Sequence, residues 1–312
     1  MVSAVIFVAT SCVSPLTGFA FWETNLAYEG ESIYNYLQVK NLSDRTILST
    51  NVLFGVQSVT MKDKGLTGMY YDTALAAPAL ADNANSALIL GMGTGTYARQ
   101  LKQYYPKMNI TGVEIDQKIT DLAGEYFDEP ADIPVTTYDG RAWLAASHDK
   151  YDVIMVDAYQ DITIPFQMSS TEFFTMVREH LNPGGVMVVN MNMISDGQGS
   201  INEALSDTIA SVFGNGNTLT ADVPNTTNRE LFAKKPGSGS EENSMQQASK
   251  ALNLRETTYE RTGSEDLEWY MEEVASRFRK VNEPDSASTI LTDDKAPVEV
   301  LGHACHRSNH RR

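Results

Sequence analysis

Hydrophobic and polar positions change rhythm twice along this chain of 312 residues. From Val2 to Trp22 no residue is charged. Val5, Ile6, Phe7, Val8, Leu16, Phe19, Phe21 and Trp22 stand there among Ser3, Thr10, Ser11, Ser14, Pro15, Thr17 and Gly18. About twenty apolar residues suffice to cross a bilayer as a helix. The polar dilution and the missing basic n-region leave three readings open: a membrane anchor, the remnant of a longer membrane region, or a buried terminal segment. Residues 1–22 are thus a candidate anchor of unset orientation. Short runs follow: Tyr34, Tyr36 and Gln38, then Ile47, Val52, Phe54 and Val56. Turn chemistry at 41–45 and 49–51 separates them, which predicts a small antiparallel sheet domain over 28–78.

From Ala87 the period switches to strands alternating with helices. Ala87–Leu90 is a short apolar strand, and Tyr97–Tyr105 is a helix stopped by Pro106. Strand Ile110–Glu114, helix Gln117–Phe127 and strand Val135–Tyr138 follow, then a helix from Arg141 and strand Tyr151–Val156. A helix from Ser169 to Leu181 has a capping box in Ser169 and Glu172, and Asn182-Pro183-Gly184-Gly185 ends it before strand Val186–Asn190. Short apolar strands separated by helices make a parallel, doubly wound α/β sheet over 79–235. Residues 236–249 read as a surface loop. Leu267, Met271, Val274 and Phe278 then form one apolar helical stripe, so 236–312 packs on the sheet domain as loop, helix and extension.

Charge narrows the partners. Forty Asp and Glu oppose 24 Lys and Arg, for a net charge of −16. Such a surface repels phosphate backbones, which argues against nucleic acid; it attracts cations, though its main effect is solubility. Cys12 and Cys305 stand far apart and the five histidines scatter, so neither a disulfide framework nor a metal site is expected.

The candidate chemistry lies at the carboxyl ends of the predicted strands. Gly91-Met92-Gly93-Thr94-Gly95 joins a strand to a helix, where glycines let the backbone turn tightly and approach a ligand. Glu114 ends the next strand, placed to accept hydrogen bonds from ribose hydroxyls. Asp139-Gly140 ends the third strand and Asp157 the fourth. Singly, Glu114 could be an exposed strand-end acid and Asp139 a helix cap; the coincidence of four features at one edge argues for a ligand crevice. The loop lacks the Lys-Ser/Thr of a P-loop and the spacing of many NAD sites. An S-adenosyl nucleoside fits best, with Asp139 accepting from the adenine amino group; a dinucleotide is the fallback.

Leu88–Gly95, Gly112-Val113-Glu114-Ile115-Asp116, Tyr138-Asp139-Gly140 and Tyr151–Asp157 together resemble the spermidine synthase (polyamine aminopropyltransferase) family, over residues 31–233. Asp157-Ala158-Tyr159-Gln160-Asp161, Ile164-Pro165-Phe166 and Leu291–Val298 are similar to its bacterial branch often fused to membrane segments. The resemblance implies a β-sheet domain before a Rossmann-like domain, a homodimer, and a cytoplasmic catalytic domain, tethered if 2–22 is an anchor. It implies aminopropyl transfer from decarboxylated S-adenosylmethionine, as co-substrate, to a polyamine such as a diamine, without metal. By that resemblance Asp157 is the catalytic acid, and Gln57 joins Gly91, Gly93, Gly95, Glu114, Asp139 and Gly140 on the nucleoside. Tyr70, Asp72, Thr94, Gln160 and Asp161 fall at substrate positions. The chain departs from the family there. Thr94 and Gln160 each replace an aspartate, with Asp161 adjacent to the second, and Tyr70-Tyr71-Asp72 stands for Tyr, His or Gln, then Glu. Two other functions stay open: an S-adenosylmethionine-dependent methyltransferase on the same fold, and a non-catalytic nucleoside or polyamine sensor.

Overall fold

The computed structural model describes residues 23–51, 55–63, 65–158, 164–192, 199–214, 216–237, 254–298 and 301. The candidate anchor and residues 238–249 of the expected loop lie outside them. Among the described residues no helix is long and apolar enough to cross a membrane. The chain divides into two units, Met1–Asp63 and Lys64–Arg312.

The first unit is an antiparallel sheet in the order β1 (Leu26–Glu31), β2 (Tyr36–Asn41), β3 (Arg45–Thr50) and β4 (Ser58–Met61). Leu37, Val39, Leu48 and Val59 are buried in it. The division at Asp63 differs from the expected domain end near residue 78. Residues 70–80 are helical and belong to the second unit.

In that second unit α1 (Tyr70–Ala74) and α2 (Ala76–Leu80) precede β5 (Ser86–Leu90), α3 (Thr96–Tyr104), β6 (Asn109–Glu114), α4 (Gln117–Tyr126) and β7 (Val135–Thr137). Then come α5 (Gly140–Ala146), β8 (Tyr151–Val156), a 3-10 turn (Phe166–Met168), α6 (Thr171–His180), β9 (Leu181–Met191) and α7 (Ile201–Phe213). The chain continues through β10 (Thr218–Asp222), β11 (Arg229–Lys234), α8 (Leu254–Thr262), α9 (Glu265–Arg277) and β12 (Arg279–Lys280). The sheet order is β12-β10-β11-β9-β8-β5-β6-β7. Strands β5 to β9 run parallel, while β10, β11 and β12 add an antiparallel flank.

The two faces of this sheet differ. Ile154 and Val156 of β8, Met187 and Val189 of β9, and Leu231 and Ala233 of β11 share one apolar core with Phe173, Phe174, Leu205 and Phe213 from α6 and α7. Alternation sends Met155 and Asp157, Val188 and Asn190, and Glu230 and Phe232 to the other face. α1 packs against that face at β11 and β9. The doubly wound sheet is as read from the sequence, but the cap of α6 is not. Ser170, not Ser169, accepts from the Phe173 N–H at 3.2 Å; the Ser169 hydroxyl donates to Phe166 C=O at 2.8 Å. The helix Glu265–Arg277 carries three residues of the expected stripe, Leu267, Met271 and Val274, fully buried, while Phe278 follows its end and is half-buried.

The late Thr292-Asp293-Asp294 segment is a turn clasped to α5 and α6. Arg141 grips the Asp293 carboxylate with both terminal nitrogens, at 2.7 and 2.6 Å, and the Ser170 hydroxyl donates to it at 2.5 Å. Arg141, then Ser170, hold the Asp293 carboxyl below its usual range. A depressed acid stabilises the fold above its unfolded value near 3.9, and that stability is lost as pH falls through the folded value. Asp293 is 41% exposed, so solvent screens the pair. Asp293→Asn is expected to cost less than about 1 kcal/mol at neutral pH. It should also flatten the acid side of a urea-denaturation stability profile; a profile identical to the wild type would remove this clasp from the stability of the fold.

Candidate active site

Strand β5 has parallel neighbours on both sides, β6 and β8, so the chain reverses its direction of winding there and a crevice opens at the carboxyl ends. The glycine loop fills its floor. Gly91, Gly93 and Gly95 all have positive φ, at 87°, 56° and 77°. Gly91 is also constrained by space. A Cβ there would stand 2.4 Å from the carbonyl oxygen of Asp157 and 2.9 Å from the nitrogen of Ala158. The N–H groups of Gly91 and Met92 both donate to Val113 C=O, and Asp157 N–H donates to Leu90 C=O. The loop is thereby tied to both neighbouring strands.

Glu114 ends β6 and is 6% exposed, so it is not a solvent-facing strand end. Its carboxylate accepts from Gly93 N–H at 2.8 Å and Asp116 N–H at 3.0 Å. Burial raises its pKa, and these backbone donors oppose the rise. Asp139 caps α5 by accepting from Ala142 N–H at 2.8 Å and is half-buried beside Gly140. The capping that was one reading of this residue is present, at the crevice edge.

Asp157 is the centre of the arrangement. The Tyr70 hydroxyl of α1 donates to Oδ2 at 2.6 Å, and the Asn190 amide of β9 donates to Oδ1 at 2.9 Å. Burial pushes the Asp157 carboxyl up to about 7, against the lowering effect of these two donors; the charge of Glu114 adds to the rise. Such a group changes protonation near neutral pH, as a general base requires. Asn190 was not singled out in the sequence, although it ends the predicted strand Val186–Asn190 level with Asp157.

The other candidates are distributed unevenly. Asp72 is fully buried, and its carboxylate accepts from Thr67 N–H, Thr67 Oγ1, Gly68 N–H and Gln100 Nε2 at 2.5 to 2.9 Å. It braces the approach to α1, and α1 carries Tyr70. Thr94 is 1% exposed, with its hydroxyl 3.5 Å from that of Thr96. Gln160 and Asp161 lie outside the described residues. Gln57 belongs to the first unit, where its N–H donates to Leu48 C=O at 2.9 Å.

Two acids escaped the sequence reading. Glu129 lies against Gly95, where a Cβ would meet its Cγ at 3.1 Å. Burial, then the charge of Glu114, push it up to about 7. Glu230 on β11 is completely buried. Neither position belongs to a strand-end motif, and only tertiary packing reveals them.

Residues 69–235 match the family model for the spermine/spermidine synthase domain, more than half of the chain. The chain belongs to the spermine/spermidine synthase family. Within that family it is 28% identical to the polyamine aminopropyltransferase of Vibrio vulnificus over 209 residues, 64% of this chain and 69% of that protein. It is 37% identical to the polyamine aminopropyltransferase of Corynebacterium efficiens over 131 residues, 38% of this chain. The chain spans only 25% of that longer relative. The family fold recurs in a probable spermidine synthase from Corynebacterium glutamicum, with a TM-score of 0.59 at 20% identity over 84% of this chain and 98% of that one. It recurs also in spermidine synthase from Thermotoga maritima, with a TM-score of 0.56 at 18% identity over 68% and 73%.

Gly91→Ala tests the floor of the crevice. A side chain at positive φ costs roughly 1–2 kcal/mol, and the clash with Asp157 adds to it. The urea midpoint is expected to fall and the Asp157 titration to move. An unchanged midpoint would mean that the loop and β8 do not pack this closely.

Proposed function

We propose that this chain transfers the aminopropyl group of decarboxylated S-adenosylmethionine to a diamine, releasing methylthioadenosine. The observation that carries this reading is the half-buried Asp157 carboxylate, oriented by Tyr70 and Asn190 beside a nucleoside-type glycine loop. Family membership supports it, as does the name aminopropyltransferase borne by the relatives.

An amine is protonated at neutral pH and has no lone pair to attack with. Asp157 accepts one proton from the ammonium, and the freed nitrogen attacks the carbon next to the sulfonium. A C–N bond forms as the C–S bond breaks, and the sulfur leaves as a neutral thioether. The product is a secondary ammonium, and Asp157 returns its proton to solvent. The two carboxylate donors fix which oxygen lone pairs face the amine, so part of the work is orientation. In this proposal Glu114 holds the ribose and Asp139 the adenine, while Gly91, Gly93, Gly95 and Gly140 let the nucleoside approach the backbone. Gln57, Tyr70, Asp72, Thr94, Gln160 and Asp161 remain proposed contacts of the nucleoside or the substrates. A homodimer and a tether through residues 2–22 belong to the same proposal; light scattering and membrane flotation of the full chain test them.

One observation favours methyl transfer as the second reading. Thr94, buried against Thr96, presents no negative charge to repel the carboxylate that the decarboxylated donor lacks. Assay of methylthioadenosine release with both donors and a panel of diamines separates the two. Release only with the decarboxylated donor and an amine supports the proposal; methylation of an acceptor by the carboxylated donor overturns it.

Asp157→Asn keeps the shape and removes the base, so turnover is expected to fall by about 10²–10⁴ with nucleoside affinity nearly unchanged. Full turnover in this variant would defeat the assignment. Tyr70→Phe deletes a donor to the charged carboxylate. The acid limb of kcat/KM, expected near the Asp157 value of about 7, should therefore move to higher pH. A limb that stays in place would show that Tyr70 does not tune Asp157.

A further inference from the structure

Glu230 is a fully buried carboxyl, and neither of its oxygens has a hydrogen-bond partner among the described residues. Its place on the sheet is what makes this consequential. In the antiparallel β9–β11 pair Glu230 stands opposite Asn190, and directly opposed residues share a face. In the parallel β8–β9 pair Val156 stands beside Val189, so Asp157 and Asn190 are the next residues at the same level. Asp157, Asn190 and Glu230 therefore form a row across three strands at the carboxyl edge of the parallel sheet. The Asn190 amide donates to Asp157, and Asn228, two residues before Glu230, donates to the Asn190 carbonyl oxygen at 2.8 Å. The intervening amide is engaged on both ends by groups other than Glu230.

The remaining charged and titratable groups around Glu230 do not neutralise it. Lys234, on the same face of β11, gives its ammonium to Leu80 C=O at 2.9 Å and Asp82 at 2.7 Å. Tyr97 of α3 donates to Ala74 C=O, and burial, then Tyr105, then Glu230 raise its hydroxyl well above the usual range. Tyr70 of α1 is committed to Asp157 and stacks on Tyr71 at 4.0 Å. Glu114 adds only negative charge to Asp157. A bare carboxylate in such surroundings is too costly to persist; it holds its proton instead. Burial first, and then the charge of Asp157, push Glu230 well above the usual carboxylate range.

We propose that Glu230 is a latent second anion of the amine site, neutral while the site is empty and ionised when a cation is held at Asp157. This inference rests on the aminopropyl-transfer reading and deepens it by assigning the charge of the acceptor. The physical argument is linkage. Asp157 disfavours the charged form of Glu230 across a poorly screened interior. A cation seated on Asp157 cancels that repulsion and sets its own attraction against the cost of burial, which shifts Glu230 toward its charged form and its proton toward solvent. The empty site carries one charge rather than two. The filled site meets a dication with two carboxylates, and Glu230 contributes without touching the ligand. It is a positioning residue acting through Asp157, and it favours diamines over monoamines.

The test uses the full chain and two readouts. The first is infrared spectroscopy of the empty protein in deuterated buffer. A carbonyl band of a protonated carboxylic acid should persist well above pH 7, where Asp157 is ionised, and vanish in Glu230→Gln. The second is titration calorimetry at that same pH in buffers of different ionisation enthalpy, with methylthioadenosine present. The probes are 1,4-diguanidinobutane, whose cations keep their protons to above about pH 12, and 1,4-diaminobutane. The wild type should release a proton on binding the diguanidine, approaching roughly one per site, and Glu230→Gln should release none. The variant should also lose several-fold in preference for the diamine over 1-aminobutane. Absence of the infrared band, or equal proton release in both proteins, overturns the inference. Cation binding without proton release overturns it while leaving aminopropyl transfer standing. Proton-linked cation binding in a chain that transfers no aminopropyl group preserves the inference and sinks that reading. Failure to bind either cation sinks both.

Discussion

The contact between Gly91 and the backbone of Asp157 is the constraint on which the site depends. β5 and β8 are parallel neighbours, in register from Ala87 and Val153 to Leu90 and Val156. The two chains emerge side by side at the same height. One must turn into the glycine loop and the other must present an acid. Only a residue without Cβ lets the loop pass so near the Asp157 carbonyl. The positive φ at Gly91 then carries the loop over toward β6, where Glu114 accepts from Gly93. Glycine loop and acid are thus held as one unit by backbone packing, and side chains do the fine orientation.

Orientation of Asp157 comes from elements remote in sequence. Tyr70 arrives on α1, whose approach is braced by Asp72 through Thr67, Gly68 and Gln100. Asn190 arrives on β9 and is itself held by Asn228. Each donor is therefore supported by further hydrogen bonds to its own element, which restrains the carboxylate to a narrow range of orientations. The burial of polar groups along this sheet face is offset on the opposite face. There β8, β9 and β11 turn Ile154, Val156, Met187, Val189, Leu231 and Ala233 into the core with α6 and α7.

The legible part of this structure is the part with local signatures. Ala87–Leu90 followed by three glycines, Glu114, Asp139 and Asp157 mark strand ends because apolar runs stop there and turn residues begin. Five strands of the sheet could be read that way. The flank could not: Thr218–Asp222 and Arg229–Lys234 mix polar and apolar residues, since only one of their faces meets the apolar core. The cap of α6 slipped by one residue because Ser169 and Glu172 have the spacing of a capping box, and only the packing of the preceding 3-10 turn gives the cap to Ser170. The end of the sheet domain slipped further. Tyr70-Tyr71-Asp72 begins a short helix whose partners, Asp157 and Gln100, lie 87 and 28 residues away.

Glu230 was invisible for a deeper reason. In sequence it is an acid between Arg229 and Leu231 in a stretch of mixed polarity. Its meaning arises only when β11 runs antiparallel against β9 and brings it level with Asn190. Strand alternation forces the choice: if Leu231 and Ala233 enter the apolar core, residue 230 must face α1 and the row of polar groups around Asp157. An apolar residue would satisfy that packing at lower cost in desolvation. A carboxyl retained there adds a titratable group whose state follows the charge at Asp157, and a site receiving a cation is one in which such a group has something to respond to.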